Sequence, residues 1–112
     1  MIIQTKYSGI NFLHTSKISS PVYIDESITS QLETGIRRIL WAKFTNTGQT
    51  CLAPDYILTT PDLQEKIIAL TPKILQQFYG TNARDSTSYG RIVNDRAWSR
   101  LDRLLATTTG RV

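Results

Sequence analysis

Cys51, the single cysteine of this 112-residue chain, is the side chain best suited to nucleophilic chemistry. The thiolate form of cysteine is a strong nucleophile when a turn or a helix end displays it. Cys51 follows the string Asn46-Thr47-Gly48-Gln49, in which Asn and Gly tolerate positive φ. The spacing predicts a thiol displayed on or just past a turn. A buried, inert thiol is the ordinary alternative for a lone cysteine.

Other residues that could do chemistry contribute less. His14 is the only histidine, and a lone histidine is more often a surface or packing residue than a base, so we assign no cysteine-histidine dyad. Trp41 and Trp98 fall at helical positions, and we expect both to be packing anchors. One cysteine forms neither an internal disulfide nor, alone, a metal site, which favours a reducing compartment.

The first half of the chain predicts a strand and then a helix. Residues 21–25 are rich in β-branched and aromatic side chains and read as a strand. Ser27 is the expected N-cap of a helix that runs to about Phe44. Its apolar residues recur at three- and four-residue spacing: Ile28, Leu32, Ile36, Ile39 and Leu40.

The second half repeats this order. Residues 56–60 predict a second strand, and Thr60 followed by Pro61 predicts the start of a helix that ends at Gly80. Pro72 predicts either a kink or two helices, the second capped by Thr71. Residues 81–88 read as a polar connector. Asn94 or Asp95 is the expected cap of a final helix with Ala97, Trp98, Leu101, Leu104 and Leu105 on its apolar side.

This alternation predicts an α/β fold with few parallel strands and helices packed on the sheet. Two strands make a very small sheet, so we expect further strands or a partner to cover it. The net charge is +4 and the pI about 9.5, but basic and acidic residues are interspersed, which argues against a nucleic-acid partner. No apolar run approaches the roughly 20 residues of a membrane span, and the N-terminus lacks a secretory pattern.

Several stretches resemble the NAD(P)-dependent aldehyde dehydrogenases, most closely the class 3 and fatty aldehyde dehydrogenase branch. The string from Phe44 to Ala53 fits the family's nucleophile motif, Phe-x-Asn-x-Gly-Gln-x-Cys-x-Ala. The likeness extends over about residues 20–105 and includes Ser20-Pro-Val-Tyr-Ile-Asp25, Arg37-Arg-Ile-Leu-Trp-Ala-Lys-Phe44, Ala53-Pro-Asp-Tyr-Ile-Leu58, Phe78-Tyr-Gly80 and Tyr89-Gly-Arg-Ile92.

The resemblance implies oxidation of an aldehyde to a carboxylate with NAD or NADP, through a thiohemiacetal and then a thioester on Cys51. It implies that the backbone N–H of Cys51 is one oxyanion donor. Asn46, Gly48 and Gln49 are then motif residues near the site, with Gly48 and Gln49 shaping a turn that passes close to the nicotinamide. The full-length family implies a homodimer and an aldehyde substrate.

The sequence also departs from the family. The motif Glu-Leu-Gly-Gly-Lys is replaced by residues 15–19, so Thr15 stands at the position of the family's base. We therefore expect residues 1–19 to be a leader without family likeness and residues 20–112 a partial catalytic domain, with the cofactor site largely absent and the chain inactive alone. The alternative is a noncatalytic interaction or splice fragment that binds a full-length subunit. We expect a cytoplasmic location. The alternative, for the fatty aldehyde branch, is the face of the endoplasmic reticulum. We expect the membrane anchor of that branch to be absent from this sequence.

Overall fold

The computed structural model describes residues 19–110, which form two short strands and three helices. The strands are β1 (Pro21–Tyr23) and β2 (Tyr56–Leu58). The helices are α1 (Leu32–Phe44), α2 (Pro61–Tyr79) and α3 (Asp95–Thr107). Three 3₁₀ segments, Glu26–Gln31, Thr45–Gly48 and Ala83–Asp85, lie between them. Residues 1–18, which are all but the last residue of the predicted leader, lie outside the described residues.

Strands β1 and β2 pair in parallel, with α1 as the connection between them. Pro21 lies opposite Tyr56 and Tyr23 opposite Leu58. The Ile24 N–H donates to the Leu58 carbonyl at 2.9 Å, one residue beyond the paired strand. A strand, a helix and a parallel strand form the βαβ unit of α/β proteins. The predicted fold class, a partial α/β domain with few parallel strands, is confirmed.

The start of α1 differs from the prediction. Asp25, and not Ser27, is the capping residue, and its Oδ1 accepts a hydrogen bond from the Ser27 N–H at 3.0 Å. This cap starts the 3₁₀ segment Glu26–Gln31, so the α-helix itself begins only at Leu32. Because Asp25 turns the chain into the cap, β1 ends at Tyr23 and is shorter than predicted.

The core lies where α1, α2 and β2 meet. Leu32, Ile36 and Leu40 of α1 are buried, which confirms the helical spacing read from the sequence. The complete buried cluster is Ile24, Leu32, Ile36, Leu40, Ile57, Leu63, Ile67 and Ile74. Burial of such side chains contributes roughly 1.5–3 kcal/mol each. This cluster fixes the end of α1, from which the cysteine-bearing loop departs.

Helix α2 is continuous through Pro72, so of the two predicted alternatives, a kink or two helices, the division into two helices is wrong. Thr71 does not cap a second helix, and its hydroxyl instead donates to the Ile67 carbonyl at 2.8 Å. Pro72 is exposed, whereas Ile67 and Ile74 on either side of it are buried. Core packing on both sides therefore holds the helix together despite the lost N–H. Gly80 ends α2 as predicted, at φ 79°.

Helix α3 has no buried residue among those described. Asn94 is its N-cap, as predicted, and its Oδ1 accepts from the Ala97 N–H at 2.9 Å. Trp98 is 54% exposed, and Trp41 on α1 is 64% exposed. The expectation that both tryptophans are packing anchors is wrong for this part of the chain, because each lies on a helix side that meets no other element here. No helix within residues 19–110 has the length and apolarity needed to cross a membrane.

Candidate nucleophile site

A left-handed turn follows directly on α1. Asn46, Thr47 and Gly48 have φ values of 50°, 55° and 77°. The sequence predicts positive φ for Asn and Gly, but the position of Thr47 carries no such signal. A β-branched residue in this region is an outlier, and each non-glycine residue held there costs of order 1–3 kcal/mol. Other contacts must hold this turn in place.

The side chain of Gln49 lies at the centre of those contacts. Its Nε2 donates to the Asn46 carbonyl at 3.0 Å, to the Thr47 hydroxyl, and to the Arg91 carbonyl at 3.1 Å. The Gln49 backbone N–H also donates to the Asn46 carbonyl at 3.0 Å. Gln49 therefore closes the turn on itself and ties it to a segment 42 residues further along the chain.

Cys51 lies in the next turn, which the Ala53 N–H closes by donating to the Thr50 carbonyl at 3.0 Å. Ala53 is buried and anchors this turn, whereas Cys51 is exposed and its thiol is free. The structure thus exposes the thiol, as the turn pattern predicts, and the alternative of a buried thiol is wrong. Within residues 19–110, the Cys51 amide N–H donates to no acceptor.

The residues on either side of the site attach it to the sheet. Ser20 and Asp55 bond reciprocally: the Asp55 N–H donates to the Ser20 carbonyl at 2.9 Å, and the Ser20 N–H donates to Asp55 Oδ2 at 3.0 Å. Asp55 Oδ1 lies 3.7 Å from the Lys43 ammonium near the end of α1. The cysteine loop is thus held by α1 at its start and by β2 at its end.

The segment around Gly90 and Arg91 packs against the left-handed turn, a proximity that sequence reasoning missed. A Cβ at Gly90 would lie 3.4 Å from the Thr47 methyl group. The Arg91 guanidinium donates to the Arg84 and Tyr89 carbonyls, at 2.7 Å each, and so fixes its own loop. The only sequence signal is the Tyr89-Gly-Arg-Ile92 stretch, which indicates the family and not the contact.

An aromatic cluster supports this arrangement from behind. Tyr89 lies 4.8 Å from Tyr79 and 6.1 Å from Phe44, measured between ring centroids. Desolvation raises the pKa of Tyr79, and the neighbouring Tyr89 raises it further. The cluster joins the ends of α1 and α2 to the loop that carries Gly90 and Arg91.

The other residues singled out in the sequence add no second reactive group to this turn among residues 19–110. His14 and Thr15 lie outside them. No three potential metal ligands come together within residues 19–110. The glycines in this range, at 35, 48, 80, 90 and 110, are isolated, and none opens a helix after a strand as in a dinucleotide-binding turn. Residues 19–110 therefore contain no glycine-rich dinucleotide-binding turn.

The comparisons with known proteins agree with this fold and motif, although no family model matches the chain. The chain is 48% identical over 86 residues to "Aldehyde dehydrogenase, dimeric NADP-preferring" of Rattus norvegicus, which covers 77% of this chain and 18% of that protein. It is 45% identical over 86 residues to "Aldehyde dehydrogenase family 3 member A2" of Mus musculus, which covers 77% of the chain and 17% of the relative.

A solved structure shows the same likeness. The substrate-bound state of Staphylococcus aureus AldH superimposes with a TM-score of 0.71 at 44% identity, over 80% of this chain and 19% of that one. The fold and the cysteine loop thus match part of an α/β domain of the aldehyde dehydrogenases. The chain belongs to the aldehyde dehydrogenase family, and the relatives it matches include family 3 members. It spans about 18% of the length of the rat relative.

Proposed function

We propose that Cys51 is the nucleophile of an aldehyde-oxidising enzyme. The observation that carries this proposal is the exposed thiol directly after the left-handed turn, within a segment homologous to aldehyde dehydrogenases. The turn leaves the sulfur accessible to a carbonyl compound, which a nucleophile requires.

The first step needs only groups that the described residues contain. The thiolate of Cys51 adds to the aldehyde carbon, a C–S bond forms, and the π electrons of the carbonyl move to its oxygen. The Cys51 amide N–H, which has no acceptor within residues 19–110, is free to donate to that oxyanion. Such a donor typically contributes about 10²–10³-fold to the rate. Asn46, Gly48 and Gln49 serve this step by shaping the turn.

The later steps need residues beyond those described. The nicotinamide cofactor, NAD or NADP, would be bound by other parts of a complete enzyme, and no step through it follows from this segment. A general base typically contributes 10²–10⁴-fold. We therefore propose that residues 20–112 are part of a catalytic domain, and that the 112-residue chain does not turn over aldehydes by itself.

Adduct formation tests the nucleophile without requiring turnover. An aldehyde isotopically labelled at its carbonyl carbon is added to the 112-residue chain, and carbon NMR follows conversion of that carbon from the aldehyde to the tetrahedral adduct. We expect more adduct at Cys51 in the folded chain than in the urea-unfolded chain, and none of it in Cys51→Ser. Equal adduct in the folded and unfolded chains would contradict a prepared site.

The complete enzyme is proposed to be a homodimer that acts on an aldehyde in a reducing, intracellular compartment. A relative's name describes a dimeric enzyme, and a free nucleophilic thiol persists where disulfides do not form. Equilibrium sedimentation of an assembled full-length protein tests the first point. A monomer at micromolar concentration would contradict it.

A second candidate function is noncatalytic binding to a full-length aldehyde dehydrogenase subunit. The observation that favours it is the exposed apolar side of α3, formed by Trp98, Leu101, Leu104 and Leu105. Exposed apolar patches commonly mark interaction surfaces. Co-purification of the chain with a full-length family 3 enzyme tests this function. Loss of binding in Leu104→Asp but not in Ser99→Asp, a matched change on the polar side of α3, would support it.

A further inference from the structure

We propose that Gln49 is a positioning residue for Cys51, held in place by the loop of Gly90 and Arg91. The inference rests on the proposed function, because orientation of the thiol matters only if Cys51 reacts. The left-handed turn is energetically costly. Asn46 and Thr47 both hold positive φ without being glycine, so the unaided chain would leave this conformation.

The Asn46 carbonyl oxygen is the point where the stabilising bonds converge. It accepts from the Gln49 backbone N–H at 3.0 Å, from Gln49 Nε2 at 3.0 Å, and from the Thr47 hydroxyl at 2.6 Å. Two of these three donors belong to Gln49. Removal of its side-chain amide would leave the turn with only short-range bonds.

The third contact of the Gln49 amide reaches outside the turn. An amide NH₂ has two donors, and Nε2 lies within hydrogen-bond distance of three acceptors, so at least one donor is shared. The acceptor at Arg91 is itself fixed, because the Arg91 guanidinium is bonded to the Arg84, Tyr89 and Gly90 carbonyls. The bond from Gln49 to Arg91 therefore joins the turn to a braced loop.

The position of Cys51 depends on this bond through the backbone. Only Thr50 separates Gln49 from Cys51, and Thr50 supplies the carbonyl that closes the cysteine turn. A rotation of the backbone at Gln49 would therefore redirect the turn that carries the thiol. Gln49 does not itself need to touch an aldehyde for this role.

The test is a spectroscopic label on Cys51 in the full 112-residue chain, where the single cysteine makes labelling specific. The thiol is alkylated with bromotrifluoroacetone, and fluorine NMR compares the folded with the urea-unfolded chain. Gln49→Met removes the amide donors while keeping the length of the side chain and its neutral charge. The matched control is Gln76→Met, because Gln76 is exposed on α2 and its side chain makes no hydrogen bond within residues 19–110.

We expect the folded resonance to be lost in Gln49→Met, either broadened or shifted toward the unfolded position, while the far-ultraviolet circular dichroism stays unchanged. Gln76→Met should match the parent chain. A resonance of Gln49→Met identical to that of the parent would overturn the proposal.

Arg91→Ala tests the same idea from the other side and covers the case in which Gln49→Met fails to fold. It removes the three guanidinium bonds that brace the loop and leaves Gln49 in place. We expect a smaller change of the Cys51 resonance in the same direction, and no change would again count against the proposal. Failure of the nucleophile role would appear separately, as a missing aldehyde adduct with these resonances unaffected.

Discussion

The Ser20 hydroxyl donates a hydrogen bond to the Cys51 carbonyl at 3.2 Å, across 31 residues of sequence. Ser20 directly precedes β1, and its backbone bonds reciprocally with Asp55 ahead of β2. The pairing of the two strands is thus extended by one residue pair and ends at the cysteine turn. The parallel sheet therefore fixes where the thiol lies, as the left-handed turn does from the other side.

Ser20→Ala should weaken this connection while leaving the backbone bonds with Asp55 intact. A hydrogen bond of this kind contributes about 0.5–1.5 kcal/mol, and we expect that much loss in the free energy of unfolding, measured in urea. Ser30→Ala is the control, because Ser30 is exposed and its side chain makes no hydrogen bond among the described residues. Equal stability of the two variants would mean that the bond adds nothing.

Gly48→Ala should destabilise the turn. Gly48 has φ 77°, and an added Cβ would lie 3.1 Å from the Lys43 carbonyl oxygen. The left-handed conformation alone costs about 1–2 kcal/mol for an alanine, and the close contact adds to that. Gly90→Ala is the matched control on the facing segment, because its Cβ would meet only ordinary contacts, at 3.4 Å or more.

Thermal unfolding of both glycine variants provides the measurement. Gly90→Ala is expected to be neutral or slightly stabilising, since alanine restricts the unfolded chain. Gly48→Ala should melt at a clearly lower temperature. A similar melting temperature for the two would show that neither φ nor the Lys43 contact constrains position 48.

The contrast between Gly48 and Thr47 shows how much of the site the sequence could predict. The Asn and Gly of the motif indicate a turn because their backbone preferences are local. The positive φ of Thr47 depends on bonds from Gln49 and on the packing of Gly90, which is 43 residues away in sequence. Such long-range contacts leave no periodic pattern in the sequence. The contact of the loop of Gly90 and Arg91 with the turn therefore could not be predicted from it.

A pH dependence is expected from Asp25. The side-chain hydrogen bond from Ser27 and then the Ser27 backbone N–H hold the pKa of Asp25 below its ordinary value of 3.8. A lowered folded-state pKa gives stability that is present above pH 3.8 and is lost as the pH falls through the folded value. Asparagine at position 25 still caps the helix. The free energy of unfolding of Asp25→Asn should therefore differ most from that of the parent at neutral pH, and the two values should converge in acid.

Urea titrations at a series of pH values measure this difference. Asp102→Asn is the control, because Asp102 is exposed on α3 and forms no hydrogen bond or ion pair within residues 19–110. If the difference in free energy of unfolding between the parent and Asp25→Asn stays constant from neutral pH down into acid, the Asp25 carboxyl does not cause the pH dependence.

For Tyr79 we expect stability to be lost at high pH, whereas for Asp25 it is lost at low pH. Desolvation and then the proximity of Tyr89 raise its pKa above 10.0. A raised folded-state pKa gives stability that is complete below pH 10.0 and is lost as the pH rises through the folded value. Ultraviolet difference titration should show that Tyr79→Phe removes the most alkaline phenolate step, and that Tyr89→Phe moves this step to lower pH. If Tyr79→Phe instead removes a phenolate step that titrates near pH 10.0, Tyr79 does not have a raised pKa.

Sequence reasoning about the fold succeeded where burial follows a regular spacing, as at Leu32, Ile36 and Leu40. At Pro72 one of the two predicted alternatives, a division into two helices, is wrong, because the buried Ile67 and Ile74 hold the helix continuous. Sequence reasoning also failed for Trp41 and Trp98, since a helical apolar pattern identifies a face but not whether another element covers it.

Thr60 gives a final prediction, in which a residue at an N-cap position adds no capping energy. Thr60 precedes α2 in extended conformation, but its side chain makes no capping bond. Its hydroxyl is buried without a hydrogen-bond partner among the described residues. A capping threonine usually contributes about 1 kcal/mol, whereas an unpaired buried hydroxyl costs roughly 1–3 kcal/mol. Because valine has the same shape without the hydroxyl, Thr60→Val should leave stability unchanged or raise it.

Thr71→Val makes the same chemical change within α2, where the hydroxyl does donate, to the Ile67 carbonyl at 2.8 Å. We expect it to lower the free energy of unfolding by about 0.5–1.5 kcal/mol. The urea midpoint should therefore fall in Thr71→Val and stay the same or rise in Thr60→Val. Replacement of a hydroxyl by a methyl group lowers stability only where the hydroxyl makes a hydrogen bond. A loss of stability in Thr60→Val as large as in Thr71→Val would therefore show that the Thr60 hydroxyl is bonded and caps the helix.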